Sequence, residues 1–489
     1  MLNTLKDIVK HSFIYGLGSL LSKFLGVILL PIYTRFLTPA DYGILSLLVI
    51  TGSITGIIVK LGLNSALFRE IIYHESEKAK ALSTTLYFLI LESAIFFGIL
   101  VFFSSSISKL IFRSIEQSEL LKFIFITRFL DTFRIIAMTK LRVRNRSKAY
   151  ATLSVINFLI GVLLNIYFIV ILRRGVEGLV IAGLIGSSFF TIISLFIMWN
   201  NLKVSFSPQI LKRMLRFGVP LVPVGLSSYL MTSADRYFLQ HFSTTTEVGL
   251  YSIGYKIGLI MSLIVQSFQL AWPSKKFEIA KQPDAESNLS KILTYYLFSM
   301  AFIGLAISLF SREILFIMTT PEFYKAYIVV PLIVLSYIFY GMRFITNIAL
   351  AVQNKMKYVP PIIIGSAGLN LYFNYLLIPR YGMMGAAIAT IISYLVLVIV
   401  QTVVNLHFWY IPYEYKRLLK IIIIWIGTYG IGFIIELPTI WLNLTFKLVL
   451  LLLFPLILYF LHFFEPQEIK AIKKIVNSEL NRFLPWRTR

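Results

Sequence analysis

The chain is 489 residues long, 58% hydrophobic and 15% aromatic, and only 14% of it is charged, against the roughly one quarter usual in soluble domains. Its formal net charge is +24 and it contains no cysteine, which excludes disulfides and thiolate metal sites. Apolar runs of about twenty residues, each long enough to cross the ~30 Å hydrocarbon core as a helix, recur along the whole length, and no soluble core could absorb so many.

Lys6 and Lys10 precede an apolar stretch that continues to Tyr33. It is too long for a signal-peptide core and has no small-residue cleavage site, so it is expected to be a first span. About fourteen spans follow from the hydropathy pattern. They are expected near 12–33, 43–64, 83–105, 119–140, 150–172, 179–200, 217–240, 250–272, 291–311, 328–351, 360–379, 383–408, 419–436 and 446–464. The expected fold class is an all-α polytopic membrane protein. No intervening loop is long enough to carry a soluble catalytic domain.

The charges fall on one side of such a bundle. The segment KLRVRNRSKA at 140–149, Lys203, Lys212, Arg213 and Arg216, then Lys275, Lys276, Lys281 and Lys291 share a side with both chain ends. The opposite loops 241–249 and 437–445 contain no Lys or Arg. The positive-inside bias places both termini in the cytoplasm. The positive charge is then mostly topology, and nucleic acid is not an expected partner. After residue 465, Ile469, Ile472, Val476, Leu480 and Phe483 recur at helical spacing with lysines on another face, the pattern of a helix lying on the inner leaflet.

The chain repeats itself. DYGILS at 41–46 is answered by EVGLYS at 247–252, 206 residues later. Leu-Asn-x-Tyr-Phe followed by Gly-x-x-Gly-x-x-Ile-Ala occurs at 164–182 and again at 369–389. RNRSKAY at 144–150 likewise faces QNKMKY at 353–358. Three matches in one order at nearly one offset imply two six-helix halves, 1–208 and 209–415, then two extra spans within 416–464 and a tail at 465–489. With an even number of spans in each, the halves are expected to be related by an axis along the membrane normal and to enclose a central cavity.

PIYTRFLTPADYGILS after the first span, ADRYFLQHFSTTTEVGLYSIGYKIG across the seventh and eighth, and GVEGLVIA resemble the polysaccharide-transport family of the multidrug/oligosaccharidyl-lipid/polysaccharide exporters, which includes Wzx-type O-antigen and capsule-unit flippases. The resemblance runs over the whole chain, including the span count, and its motifs say little about the sugar. It implies a flippase of the bacterial cytoplasmic membrane. The substrate would be an oligosaccharide on undecaprenyl diphosphate, turned from the inner to the outer leaflet by alternating access. Membrane lipids, a polymerase and a chain-length regulator are the implied partners.

Intramembrane charges are costly, so they tend to face a wet cavity or a partner. Here they are Lys23, Lys60, Arg128, Asp131, Arg134, Lys256 and Arg343, with Asp235 and Arg236 closing the seventh span and Glu92 in the third. The excess is positive, as a cavity for a diphosphate requires. Lys23, Lys60, Arg128, Arg134, Lys256 and Arg343 are therefore the candidate substrate-binding residues, and Glu92, Asp131 and Asp235 the candidates for ion coupling. Lys23 stands in SKFLG, which is similar to a Ser-basic-x-Leu-Gly context lining the cavity of the lipid II flippase branch, with Lys in place of Arg. Lys60 and Arg236 lie near expected span ends, where snorkelling to the interface is the simpler reading. Arg128, Asp131 and Arg134 fall on one side of a helix and suit an ion-pair ladder as well as a site. Glu92 has no opposite charge within a helical turn and is the better proton-coupling carboxylate.

The five histidines are scattered with no metal-binding spacing, and there is no P-loop, so no cofactor is expected. Drug or cation antiport within the same superfamily is the alternative, although it would favour a carboxylate-lined cavity. A membrane glycan enzyme would need a large outer catalytic loop that this chain does not have.

Overall fold

The computed structural model describes residues 28–144, 146–199, 205–466 and 468–470. In chain order the helices are α1 (Leu30–Phe36), α2 (Pro39–Val59), α3 (Leu63–Tyr73), α4 (Lys78–Phe102), α5 (Ser104–Phe112), α6 (Ser118–Val143), α7 (Ser147–Ile166), α8 (Gly175–Trp199), α9 (Pro208–Gly218), α10 (Leu221–Ser233), α11 (Asp235–Phe242), α12 (Thr245–Ile279), α13 (Ala285–Leu309), α14 (Ser311–Met318), α15 (Val330–Thr346), α16 (Ile348–Val352), α17 (Val359–Phe408), α18 (Tyr415–Ile434) and α19 (Ile440–Phe460). There is no strand among the described residues.

Ten helical segments are long and apolar enough to cross a membrane, or eleven when the bent pair α9–α10 is taken as one span. The fourteen expected spans are not reached for three reasons. Most of the first lies outside the described residues. The fourth, α6, carries seven charged side chains from Glu119 to Arg142 and is less apolar than the other spans. The eleventh and twelfth run together as α17, broken only at Gly382, whose φ of 52° and ψ of −132° are not helical. The second span also ends later than its sequence suggests, because α2 passes through a turn at Leu61 and Gly62 into α3 and the pair extends from Pro39 to Tyr73.

The repeated phrases adopt the same local structure twice. Thr38 opens α2 by accepting the Asp41 N–H on its side chain. Thr244 opens α12 by accepting the Glu247 N–H in the same way. Each hydroxyl satisfies one of the free donors at a helix start. Gly175 and Gly382 both take positive φ, 53° and 52°, a conformation in which a side chain would be strained. This explains why both Gly-x-x-Gly copies begin with glycine.

The two copies of the first phrase also pack against each other, α2 against α12. A Cβ on Gly43 would stand 2.1 Å from the Thr245 carbonyl oxygen, and one on Gly249 would stand 1.8 Å from that of Pro39. Only glycine permits this backbone approach. One helical turn further on, Ser252 Oγ donates to Ser46 Oγ at 2.9 Å, and the two serines are 206 positions apart. Thr51 and Tyr237 share a hydroxyl hydrogen bond of 2.7 Å further along α2. Around Gly43 and Gly249 the contact is isologous, Gly43 meeting Thr245 as Gly249 meets Pro39, and Ser46 meets its own repeat-mate Ser252. It forms a tight seam at one end of the bundle.

At the opposite end lies the basic loop between α6 and α7. There α9 packs beside α3, and Arg213 bonds both Glu70 and Glu77. A 42° bend then sends α10 toward α17.

The last two helices are fastened to α13 and its neighbours at both ends. Near the seam end, Lys447 Nζ pairs with Glu313 at 2.5 Å and Arg312 pairs with Glu436. Near the basic end, Arg417 pairs with Glu414 at 2.8 Å and with Glu468 at 2.9 Å, and Lys291 pairs with Glu465 at 3.0 Å. The start of the expected amphipathic tail is therefore tied down by ion pairs, and residues 471–489 lie outside the described residues. Lys447 is almost fully buried, so Glu313→Gln should strand its charge. We expect a cost of about 2–4 kcal/mol, read as a lower melting midpoint in detergent. An unchanged midpoint would show that this pair does not hold α19 in place.

Candidate functional site

The intramembrane charges fall into two groups on different helices. In the first, α6 places Arg128, Asp131 and Arg134 three residues apart, and helical spacing brings all three to one side. Asp131 accepts from Arg128 Nη1 through Oδ2 and from Arg134 Nη2 through Oδ1, both at 3.1 Å. Ser187 of α8 donates a third hydrogen bond to Oδ1 at 3.2 Å. The carboxylate is thus enclosed by donors and bridges the two guanidinium groups. Lys60, at the end of α2, lies in the electrostatic field of all three residues. Its expected snorkelling is corrected by the continuation of the span into α3, which leaves Lys60 half-buried within a longer helical segment.

Beside this ladder, toward the basic end, lies a cavity of about 430 Å³. Arg134 and Arg142 of α6 line it, with Asn64 and Ser65 of α3 and Tyr150, Ser154 and Asn157 of α7. No acidic side chain among the described residues lines it. The Arg142 guanidinium lies over the Phe68 ring, 5.4 Å from its centroid, an attractive contact that also orients the group. The pattern of two cations among amides and hydroxyls suits a ligand that is both anionic and rich in hydroxyl groups.

The second group surrounds Asp235 and Arg236, at the break between α10 and α11. Arg236 was expected to snorkel. It is instead buried, with 7% of its side chain exposed against 1% for Asp235, because α12, α15 and α17 close around it. Arg236 Nη1 donates to Asp235 Oδ1 at 2.7 Å, and the Tyr251 hydroxyl donates to Oδ2 at 2.5 Å. The guanidinium lies 4.0 Å from the Tyr255 ring centroid and 4.9 Å from that of Tyr251. Tyr255 in turn shares a hydrogen bond of 2.9 Å with Tyr337. Both Asp235 oxygens are therefore already engaged.

Lys256 joins neither group. It reaches across the seam from α12, donates to the Tyr42 hydroxyl, and lies 5.1 Å and 5.9 Å from the ring centroids of Tyr42 and Tyr33. Asn165 holds Tyr33 through its hydroxyl at 3.0 Å. Arg343 on α15 stacks on Tyr340 and Phe344, and no carboxylate among the described residues pairs with it. Glu92 sits half-buried in α4, and its Oε2 is buried without a hydrogen-bond partner among the described residues. Lys23 lies outside the described residues. Asn64, Arg142, Tyr150 and Asn157 are not among the expected site residues, three because they bear no charge and Arg142 because it falls in the expected basic segment 140–149. An Asn at position 157, inside an apolar run, was the available signal.

Fold and charges together define a multi-pass helical membrane protein. Its architecture is similar to a lipid II flippase, MurJ, in an inward closed conformation, with a TM-score of 0.66 and 16% identity over 92% of this chain and 99% of that one. It is also similar to an inward-facing MATE multidrug transporter, with a TM-score of 0.61 and 18% identity over 82% and 95% of the two chains. In sequence, the family model described as "Polysaccharide biosynthesis protein" matches residues 32–272. A Shigella flexneri protein named as a candidate O-antigen transporter is 22% identical, covering 78% of this chain and 94% of its own length. A protein of the lsg locus of Haemophilus influenzae is 24% identical, covering 56% and 67%. These findings bear out the resemblance to the polysaccharide-transport family of the multidrug/oligosaccharidyl-lipid/polysaccharide exporters.

Proposed function

We propose that the protein is a flippase for undecaprenyl-diphosphate-linked oligosaccharide units, working by alternating access between its two repeat halves with both termini in the cytoplasm. The observation that carries this reading is the cavity beside the α6 ladder, lined by Arg134 and Arg142 and by no acidic side chain among the described residues. Arg134 and Arg142 would meet the diphosphate, with Arg128, Lys60 and Lys23 adding to the positive field. The amides of Asn64 and Asn157 and the hydroxyls of Ser65, Tyr150 and Ser154 would meet the sugar adjoining it. The names of the relatives, an O-antigen transporter and a lipid II flippase, support a lipid-linked glycan. A drug- or cation-antiport reading is weaker because Asp131 and Asp235, the carboxylates it would use, are both engaged by arginines. Glu92 is the remaining carboxylate for proton coupling.

Arg142→Ala tests the reading without touching the Asp131 ladder. Loss of one charge-assisted contact is worth about 1.5–3 kcal/mol, so surface glycan delivered per folded molecule should fall about tenfold or more. Glu92→Gln should slow delivery at unchanged protein level. Full delivery by Arg142→Ala would remove the cavity from the substrate path, and full delivery by Glu92→Gln would remove Glu92 from coupling.

A further inference from the structure

α7 separates two cavities. Tyr150, Ser154 and Asn157 face the polar one, while Ala149, Thr152 and Leu153 line a second, of about 640 Å³, between α7, the end of α6 and the last turns of α8. Three cations line this second cavity, Lys140, Arg144 and Arg146, with no acidic residue among its lining side chains. Lys140 is buried and donates to the Ile197 carbonyl oxygen at 2.5 Å, so its charge is fixed at the end of α8. The rest of the wall is largely apolar, formed by Leu141, Leu153, Ile193 and Phe196. Phe196 also belongs to an adjoining groove of about 330 Å³ formed with Ile192, Leu195 and Trp199. Phe196 is 79% and Trp199 80% exposed, so this groove opens toward the surrounding bilayer.

We propose that the paired cavity and groove bind one anionic glycerophospholipid. Its phosphate would lie among Lys140, Arg144 and Arg146, and an acyl chain would lie along Ile192, Leu195, Phe196 and Trp199. Charge and shape select this occupant. A basic pocket between helices at the interface recognises a phosphate head group, while the adjacent apolar groove accepts hydrocarbon. The polar side of the pocket offers a single neutral side chain, Thr152, against the amides and hydroxyls across α7. It therefore suits a compact phosphodiester and not an oligosaccharide. The site lies behind α7, outside the substrate cavity, and so is independent of the flippase reading.

The test is lipid retention by the purified full-length protein in detergent, measured by native mass spectrometry after delipidation and addition of phosphatidylglycerol or phosphatidylcholine. The wild type should retain phosphatidylglycerol in preference. The double variant Arg144→Gln with Arg146→Gln should lower that retention about tenfold, two cations each contributing about a factor of three to five, and should leave phosphatidylcholine unchanged. Arg146→Gln alone should give about a threefold loss and serves if the double variant does not fold. Lys148→Gln, in the first turn of α7 but outside the lining, should have no effect. Three results would overturn the proposal: no preference in the wild type, an equal loss in Lys148→Gln, or displacement of phosphatidylglycerol by equimolar undecaprenyl phosphate. The last would assign the groove to the substrate's own lipid.

Discussion

Asp235→Ala should lower the folded yield and destabilise the protein by about 3–5 kcal/mol, the usual result of removing one partner from a buried ion pair. Arg236 is enclosed by Tyr251, Tyr255 and the turns around residue 234, and its charge is met by Asp235 alone among the described carboxylates. Without that carboxylate, Arg236 remains a desolvated cation and the Tyr251 hydroxyl loses its acceptor. Asp235→Asn should cost less, because the amide oxygen can still accept one hydrogen bond. Melting midpoints in detergent rank the three proteins, with the wild type highest and alanine lowest. An alanine variant that melts with the wild type would mean that Asp235 is free for another role, and ion coupling would return as a candidate.

A side chain at position 249 should have the largest effect on transport. A Cβ there would stand 1.8 Å from the Pro39 carbonyl oxygen, so Gly249→Val must force α2 and α12 apart at the seam. If the seam closes one side of the pathway, delivery should fall more than tenfold while the protein remains folded. Gly161→Ala is the control, since a methyl there meets nothing within 4 Å. The converse experiment pairs Ser46→Cys with Ser252→Cys in a chain that has no native thiols. Their hydroxyl oxygens are 2.9 Å apart, so the thiols should oxidise readily, lock the seam and stop transport until a reductant is added. Transport that continues through an oxidised seam would show that these helices need not part.

The sequence predicted the helical class because an apolar run long enough to span a bilayer has few other structures open to it. The repeat was legible for a related reason. Gly43 and Gly249 are required by a backbone contact, and Gly175 and Gly382 by a turn, so neither pair could drift without cost. The limits of the helices were less legible. α6 carries the charge of a loop, part of which is met within the helix by the Arg128–Asp131–Arg134 ladder and the Glu119–Lys122 pair. The fate of individual charges was the least legible part. Arg236 and Lys60 have the sequence context of snorkelling residues, yet burial by distant helices fixes the first and an unforeseen extension of the helix fixes the second. Lys256 looked like a cavity cation by depth alone, and its partners Tyr33 and Tyr42 lie more than two hundred residues away. Polar uncharged residues such as Asn64 and Asn157 add nothing to the charge pattern, although they line the cavity beside the α6 ladder.

The proposed function has the cavity lined by Arg134 and Arg142 carry an anionic, glycan-bearing lipid across the membrane. Its most direct test is the purified protein in liposomes with two substrates, an oligosaccharide on polyprenyl diphosphate and the same oligosaccharide on a neutral polyprenyl ether, each scored for exposure on the far leaflet. The diphosphate-linked glycan should be translocated well above protein-free vesicles, the neutral lipid at a rate at least about tenfold lower, and Arg142→Ala should lose that difference. Equal rates for the two lipids, or no translocation of either by a folded protein, would contradict the proposed function.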